Sequence, residues 1–414
     1  MRIRSQHWGW MSKICFSAAN VATLVFVFAL IVIGTRPAHA QTLTTLYSFS
    51  GAPDGGIPYS GLIRDGAGNL YGTTEIGGLS DVGTVFKIDS YGKETILYSF
   101  AGYPDDGVNP FGTLVRDRLG NLYGTTWLGG SSNAGTVFKL EANGSETVLH
   151  TFSPFTGDGA NPLAGLTRDR YGNLYGTTFW GGQYGYGSVF TLDPSGVETL
   201  LHSFGAIPTH GANPYSDLIR DDAGNLYGTT QNSVSSGAGT IFELDTSGQE
   251  KLLYSFNGGA DGADPIAGLV RDAAGNSYGT TLSGGDATCF CGTVFKLDRN
   301  GKETVLYRFT GGTDGASPQA GLTRDPAGNL YGTTAFGGDS VCGCGTVFKI
   351  DRRGKETILH RFTGGDDGGY PRSGILRDPA GNLYGTTSNN GINGFGTVYR
   401  LSLDKKHITS DDVH

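Results

Sequence analysis

The sequence predicts an all-β fold, a seven-bladed β-propeller of four-stranded blades spanning residues 41–403. Three observations predict it. First, a Tyr-Gly-Thr-Thr tetrapeptide begins at Tyr71, Tyr123, Tyr175, Tyr227, Tyr278, Tyr331 and Tyr384, in steps of 52, 52, 52, 51, 53 and 53 residues. A period near 50, rich in β-formers and glycine, marks a propeller built blade by blade. Second, the two ends of the repeat array hold complementary fragments of one blade. Third, length varies in only two of the four connections of each repeat.

Each repeat supplies four strand-like segments separated by turn residues. Strand a is of the Gly-Leu-Ile-Arg-Asp type, with Arg-Asp at 64–65, 116–117, 168–169, 220–221, 271–272, 324–325 and 377–378. Strand b contains the tetrapeptide, as in Asn69 to Thr74. Strand c is Gly-Thr-Val-Phe-Lys-Ile, starting at Gly83, Gly135, Gly187, Gly239, Gly292, Gly345 and Gly396. Strand d is Glu-Thr-Ile-Leu-Tyr-Ser-Phe, as in Glu94 to Phe100. The chain opens with a lone d segment (42–50) and closes with strands a to c (367–403). Joining them closes the ring and removes the unpaired edges of an open array.

The interval from strand c to the end of d is 17 residues throughout, and the interval from the Asp-Gly pair to the tetrapeptide Tyr is also 17. Only the d–a and b–c loops vary. In an up-and-down sheet these two loops emerge on one face. Variable loops on a fixed scaffold are where binding is usually placed.

The N-terminus carries Arg2, Arg4 and Lys13, an apolar run from Ala18 to Gly34, and Ala38-His39-Ala40. This pattern predicts a secretory signal peptide over 1–40, cut between Ala40 and Gln41, with an uncleaved anchor as the alternative. Residues 404–414 form a short polar tail. Cleavage removes four basic residues and no acidic one, leaving 26 basic against 38 acidic. Such a balance argues against nucleic acid or an anionic membrane as partner. The expected product is secreted or periplasmic, monomeric, and free of the membrane after cleavage.

The order of the first three strands resembles NHL-type propeller repeats, which implies that strand a lines the central channel. The "G-N-L-Y-G-T-T…G-T-V-F-K" core and "L-Y-S-F…D-G-x-x-P" bridge resemble the Gloeo-Verruco (GloVer) tandem repeat family of exported bacterial proteins, over essentially all of 42–403. That resemblance implies fold and compartment; it implies no activity. Members of the family often end in an anchoring or sorting segment. The polar end from Lys405 to His414 departs from that and leads us to expect a free product.

Four groups of residues could carry chemistry. Cys289-x-Cys291 and Cys342-x-Cys344 end just before strand c in the two blades whose b–c loops are two residues longer. Export favours disulfides, within each loop or between the loops. The alternative is a four-thiolate metal site; otherwise no metal or cofactor is expected.

Asp54, Asp106, Asp158, Asp261, Asp314 and Asp367 precede Gly in the d–a loops, and His210 stands in the remaining one. They are candidates for an acidic ring at the channel mouth, or for turn formation between blades. His210, as the one departure, is the catalytic candidate.

Trp127 and Trp180, with Tyr184 and Tyr186, lie in adjacent b–c loops and suit stacking on sugars, or packing between blades. The Arg-Asp pairs, and His150, His202 and His360 in strand d, read as structural. No nucleophile elbow, zinc motif or P-loop is present. The expected function is a binding or interaction module for a glycan or an extracellular or cell-surface protein. The alternative is a propeller hydrolase or lyase acting on carbohydrate or lactone.

Overall fold

A computed structural model describes residues 41–403, except 155–156, 206, 208–209, 234–236 and 340. The expected signal peptide and the polar tail lie outside the described residues. Seven four-stranded antiparallel sheets follow one another along the chain, and the fourth is widened by Gly211–Pro214. In the first blade strand a is Ile63–Arg64, b Leu70–Thr74, c Thr84–Ile88 and d Glu94–Ser99. The fold is the predicted seven-bladed propeller. Its closure is also as expected: Thr42–Ser48 pairs with Thr397–Ser402, from Thr42↔Ser402 to Ser48↔Thr397.

Every residue of the tetrapeptide has a packing reason. The Tyr71 hydroxyl donates to Asp65 at 3.0 Å, locking the a–b turn. Gly72 is required because a Cβ there would stand 2.7 Å from the Phe86 ring of strand c. Thr73 donates to the Pro110 carbonyl of the next blade at 3.1 Å, and Thr386 does the same to Pro58 at 3.0 Å across the closure. Thr74 meets Thr84 of strand c at 2.8 Å. The repeated motif therefore ties turn, blade and neighbour together.

Strand d holds one feature that alternation does not reveal. In all seven blades its register against strand c slips by one residue. Val85 faces Tyr98 while Phe86 faces Ile96, leaving Leu97 as the bulged residue. A bulge bends its strand and increases the local twist. Beyond it, the end of strand d leads into the d–a loop.

Between blades the core is a relay of ring contacts. Phe49 meets Phe86 edge to face at 5.1 Å, and Phe100 meets Phe138 likewise. The last link is Phe362 with Tyr399, at 5.2 Å, where every other blade has Phe. Tyr399 is fully buried and its hydroxyl has no hydrogen-bond partner. Desolvating an unsatisfied hydroxyl costs about 1–3 kcal/mol. Tyr399→Phe is therefore expected to raise the melting temperature, and an unchanged or lower value in a calorimetric scan would count against this packing.

Candidate functional site

The d–a and b–c loops lie on one face and bond to each other in each blade. Gly107–Val108 pairs with Leu128–Gly129 and Gly159–Ala160 with Trp180–Gly181, while Gly56↔Ile76, Ala263↔Ser283, Ala316↔Phe336 and Gly369↔Asn389 are single bridges. In the fourth blade Gly211–Pro214 pairs with the extended strand b.

The acidic ring is not at the channel mouth. Each Asp of the d–a loop folds back onto the Tyr or His near the end of the outermost strand d. The contacts are Tyr47–Asp54, Tyr98–Asp106, His150–Asp158, Tyr254–Asp261, Tyr307–Asp314 and His360–Asp367, at 2.9–3.1 Å. Backbone amides of the turn complete the set, as Ser50 does for Asp54 at 2.9 Å. The carboxylates are spent on the turn, and the strand d bulge sets that geometry at the perimeter.

His210 takes the same perimeter slot. Its Nδ1 lies 2.7 Å from Glu250, whose carboxylate also meets His202 at 3.3 Å. Burial opposes ionisation of Glu250, but the hydrogen bonds from both histidines outweigh it and hold the carboxyl below its usual range. The channel-mouth role expected of His210 finds no support in this placement.

In five of the seven junctions the glutamate that starts strand d sits beside the Asp, as Glu94 does beside Asp54. Burial, reinforced by the Asp54 charge, pushes Glu94 up to about 7. Glu146 beside Asp106 and Glu303 beside Asp261 are also pushed up to about 7, and Glu356 beside Asp314 to about 6. One oxygen of each of these glutamates is buried without a partner.

The structure sets Cys289 beside Cys291 and Cys342 beside Cys344, each pair within its own loop, with Cα separations of 5.2 and 5.1 Å. The two pairs stay on separate blades. Among the described residues no three His, Cys, Asp or Glu side chains are grouped as a metal site.

The two tryptophans differ by one position in the loop. Trp127 follows the second Thr of its tetrapeptide directly, is half-buried and meets Phe111 at 5.7 Å. Trp180 is one residue further on, where a shift of one reverses the side-chain direction. It is 48% exposed at the rim with Tyr184 and Tyr186, and Phe179 takes the inner position.

What the loops frame is a funnel on the propeller axis, a cavity of about 290 Å³. Its wall takes one side chain from each blade: Tyr59, Phe111, Leu163, Tyr215, Ile266, Gln319 and Arg372. All seven follow a buried proline. The residue before that proline is left-handed in every blade, with φ of 53–59°. Its amide bonds to the preceding blade, as Asn109 to the Val82 carbonyl at 2.9 Å. The proline ring then packs on the glycine opening the preceding strand c: a Cβ on Gly83 would stand 2.5 Å from Pro110 Cδ. One scaffold thus presents seven side chains of six different kinds.

Aromatic rings dominate one arc of the wall. Tyr59 lies 5.0 Å from Phe111, Phe111 meets Trp127, and Phe179 lies 5.9 Å from Tyr215. The polar edge is at the closure. Arg372 donates from Nη1 to the Tyr59 hydroxyl at 3.0 Å and lies 5.2 Å from the Tyr59 ring centre. Glu75, which follows its tetrapeptide as Trp127 does, is held above its usual range by burial, partly offset by Arg372.

Deeper in the bore, five blades place Gly at one position, with Thr113 and Asp217 in the other two. Asp217 is surrounded by protein, accepts one hydrogen bond, from the Gly165 amide at 2.5 Å, and is pushed up by burial. These axial residues were missed by spacing arguments. Their signal is side-chain variation at a fixed position, directly after each proline.

The sequence matches the Gloeobacter/Verrucomicrobia repeat family over residues 32–178 and 165–399. No curated protein matches it in sequence. Among solved structures it resembles virginiamycin B lyase from Staphylococcus aureus, with TM-score 0.58 and 13% identity, covering 88% of this chain and 100% of that one. It also resembles the extracellular domain of the hybrid two-component system BT3049 from B. thetaiotaomicron, with TM-score 0.57 and 16% identity, over 88% of this chain and 41% of that one. At these identities the likeness is one of fold.

Proposed function

Because the chain belongs to the Gloeobacter/Verrucomicrobia repeat family and closes as a propeller with a lined axial funnel, we propose that it is an exported binding module. It captures the end of a glycan chain in that funnel. One observation carries this reading: seven side chains of six kinds, largely aromatic over one arc, occupy a position where the supporting backbone is the same in every blade. A scaffold that holds its backbone constant and varies one exposed position is built for recognition rather than for stability. The funnel is close to the lower end of the range of about 300–1,000 Å³ typical of small-molecule sites. The N-terminal signal pattern and the exported character of the resembling family support a secreted or periplasmic setting.

The test uses protein recovered outside the cytoplasm with Gln41 as its first residue, applied to a glycan array and to titration calorimetry. Phe111→Ala is expected to weaken binding about tenfold or more, since it removes a wall ring, and Trp127→Ala to weaken it severalfold by unseating the Phe111 ring it packs against. Trp180→Ala, on the outer rim, is expected to change it less than about twofold. Binding insensitive to Trp127 and Phe111 sinks the funnel reading.

A catalytic reading, hydrolase or lyase, has one observation in its favour. Asp217 is a part-buried carboxyl in the bore below the funnel, pushed above its usual range by desolvation, an environment that suits a general acid. Turnover in a substrate screen that survives Asp217→Asn would remove that support.

A further inference from the structure

We propose that the ligand unit seated in the funnel is an acidic pyranose, a hexuronate, with Arg372 binding its carboxylate and Tyr59 and Phe111, the latter backed by Trp127, supporting its ring. This rests on the funnel being the binding site.

Arg372 is the one cation among the seven wall residues. Among the described residues it has no ion-pair partner within 4.0 Å, and its Nε is buried without an acceptor. A guanidinium presents donors in a planar fork that matches a carboxylate, and in a partly desolvated site the pairing is strong. The Tyr59 hydroxyl accepts from Nη1 and fixes the guanidinium on one side, and Arg372 lines the cavity. Among the described residues neither Glu75 nor Asp217 pairs with Arg372 within 4.0 Å, and burial pushes both carboxyls above their usual range. The funnel therefore offers a positive edge.

The remainder of the wall selects a hydroxylated ring rather than a flat aromatic acid. Phe111 and Trp127 stand at 80° to each other, so they form a corner and not a parallel slot. Gln319 on the wall, and Thr113 and Asp217 below it, line the cavity with groups that bond to hydroxyls.

The backbone is also strained where this edge is built. Asn occupies the left-handed position in three blades, at little cost, but Ile57 precedes Pro58-Tyr59 and Tyr370 precedes Pro371-Arg372. Bulky and β-branched residues are outliers in that region and persist where the surroundings over-determine them. Both outliers lie two residues before Tyr59 and Arg372, whose side chains bond to each other at this edge.

The experiment is calorimetric titration of the mature protein with galacturonate and glucuronate, as monomers and short oligomers, against galactose and glucose equivalents and against benzoate. The acidic sugars are expected to bind at least about tenfold more tightly than the neutral ones. Arg372→Gln should erase that preference, with a thermal melt close to the parent's reporting that the propeller stays folded. Arg372→Lys should restore it only in part, and Glu75→Gln should preserve or sharpen it.

Equal affinity for acidic and neutral sugars overturns the hexuronate assignment and leaves the funnel reading standing. Benzoate binding as tightly as the uronates overturns it as well. Absence of binding by any sugar, on calorimetry and on the array, overturns both.

Discussion

Removing residues 41–50 is expected to abolish the closed propeller fold, and Phe49→Ala alone to destabilise it by about 3–5 kcal/mol. The N-terminal strand is the outer strand of the last blade, and without it Thr397–Ser402 becomes an exposed edge. An unpaired edge of this kind invites pairing with another chain. Deletion also removes Phe49, fully buried against Phe86 and Tyr47 with ring centres 5.1 and 5.2 Å away. The loss reaches the first blade too, because the Phe49 ring belongs to the same core cluster as Leu62, Leu70 and Ile88. Size-exclusion chromatography and denaturant unfolding would show it. A truncated chain that stays monomeric with an unchanged unfolding midpoint would mean that the closure contributes nothing.

The second large effect is on the pH dependence of stability. Glu94, Glu146, Glu303 and Glu356 lie at junctions where the outer strand offers Tyr rather than His, and each has a folded pKa raised to about 6–7 by burial and a neighbouring Asp. Below about pH 4.5 these groups are neutral whether folded or unfolded, so they exact no penalty. As pH rises further the unfolded chain loses their protons while the folded chain still holds them. Stability is therefore lost as pH climbs through about 7. The carboxyls held low, Glu250 and Asp367, change their contribution below pH 4.5 and do not mask the trend. Asp367 is instructive, since its junction has Leu43 where the other blades have the glutamate. Between pH 5 and pH 8 the melting temperature is expected to fall by about 5 °C or more. A variant carrying Gln at all four positions should show a flatter profile. If the four-Gln variant tracks the parent across that range, the glutamates are not the cause.

Much of this architecture was legible because the repeat reports its own geometry. Interval lengths place the strands, the ring closure and the loop-bearing face, since each depends on residue counts that a twisted four-stranded blade must respect. The failures are of direction. Whether Asp54 points to the axis or to the perimeter depends on a bulge at Leu46, and a bulge changes pairing without changing length. His210 went to the perimeter for the same reason, as the occupant of that Asp slot. Trp127 and Trp180 read as equivalent in their loops, yet one residue of register turns the first toward the funnel and the second to the rim. The funnel itself was visible as the sequence Tyr, Phe, Leu, Tyr, Ile, Gln, Arg after successive prolines. It was passed over because the loops there keep a nearly constant length and change only in chemistry.

The pairing of Thr42 with Ser402 has a further consequence. It brings the two chain ends of the propeller together on the outermost strands of one blade, about 15 Å outward from the axis-lining strand at about 4.8 Å per strand spacing. Anything attached at either end, whether a fused domain, a surface tether or a linker joining the two, meets the molecule at one mooring point on its rim. Both openings of the axis stay clear of it, so the protein can be held in place without its funnel being covered.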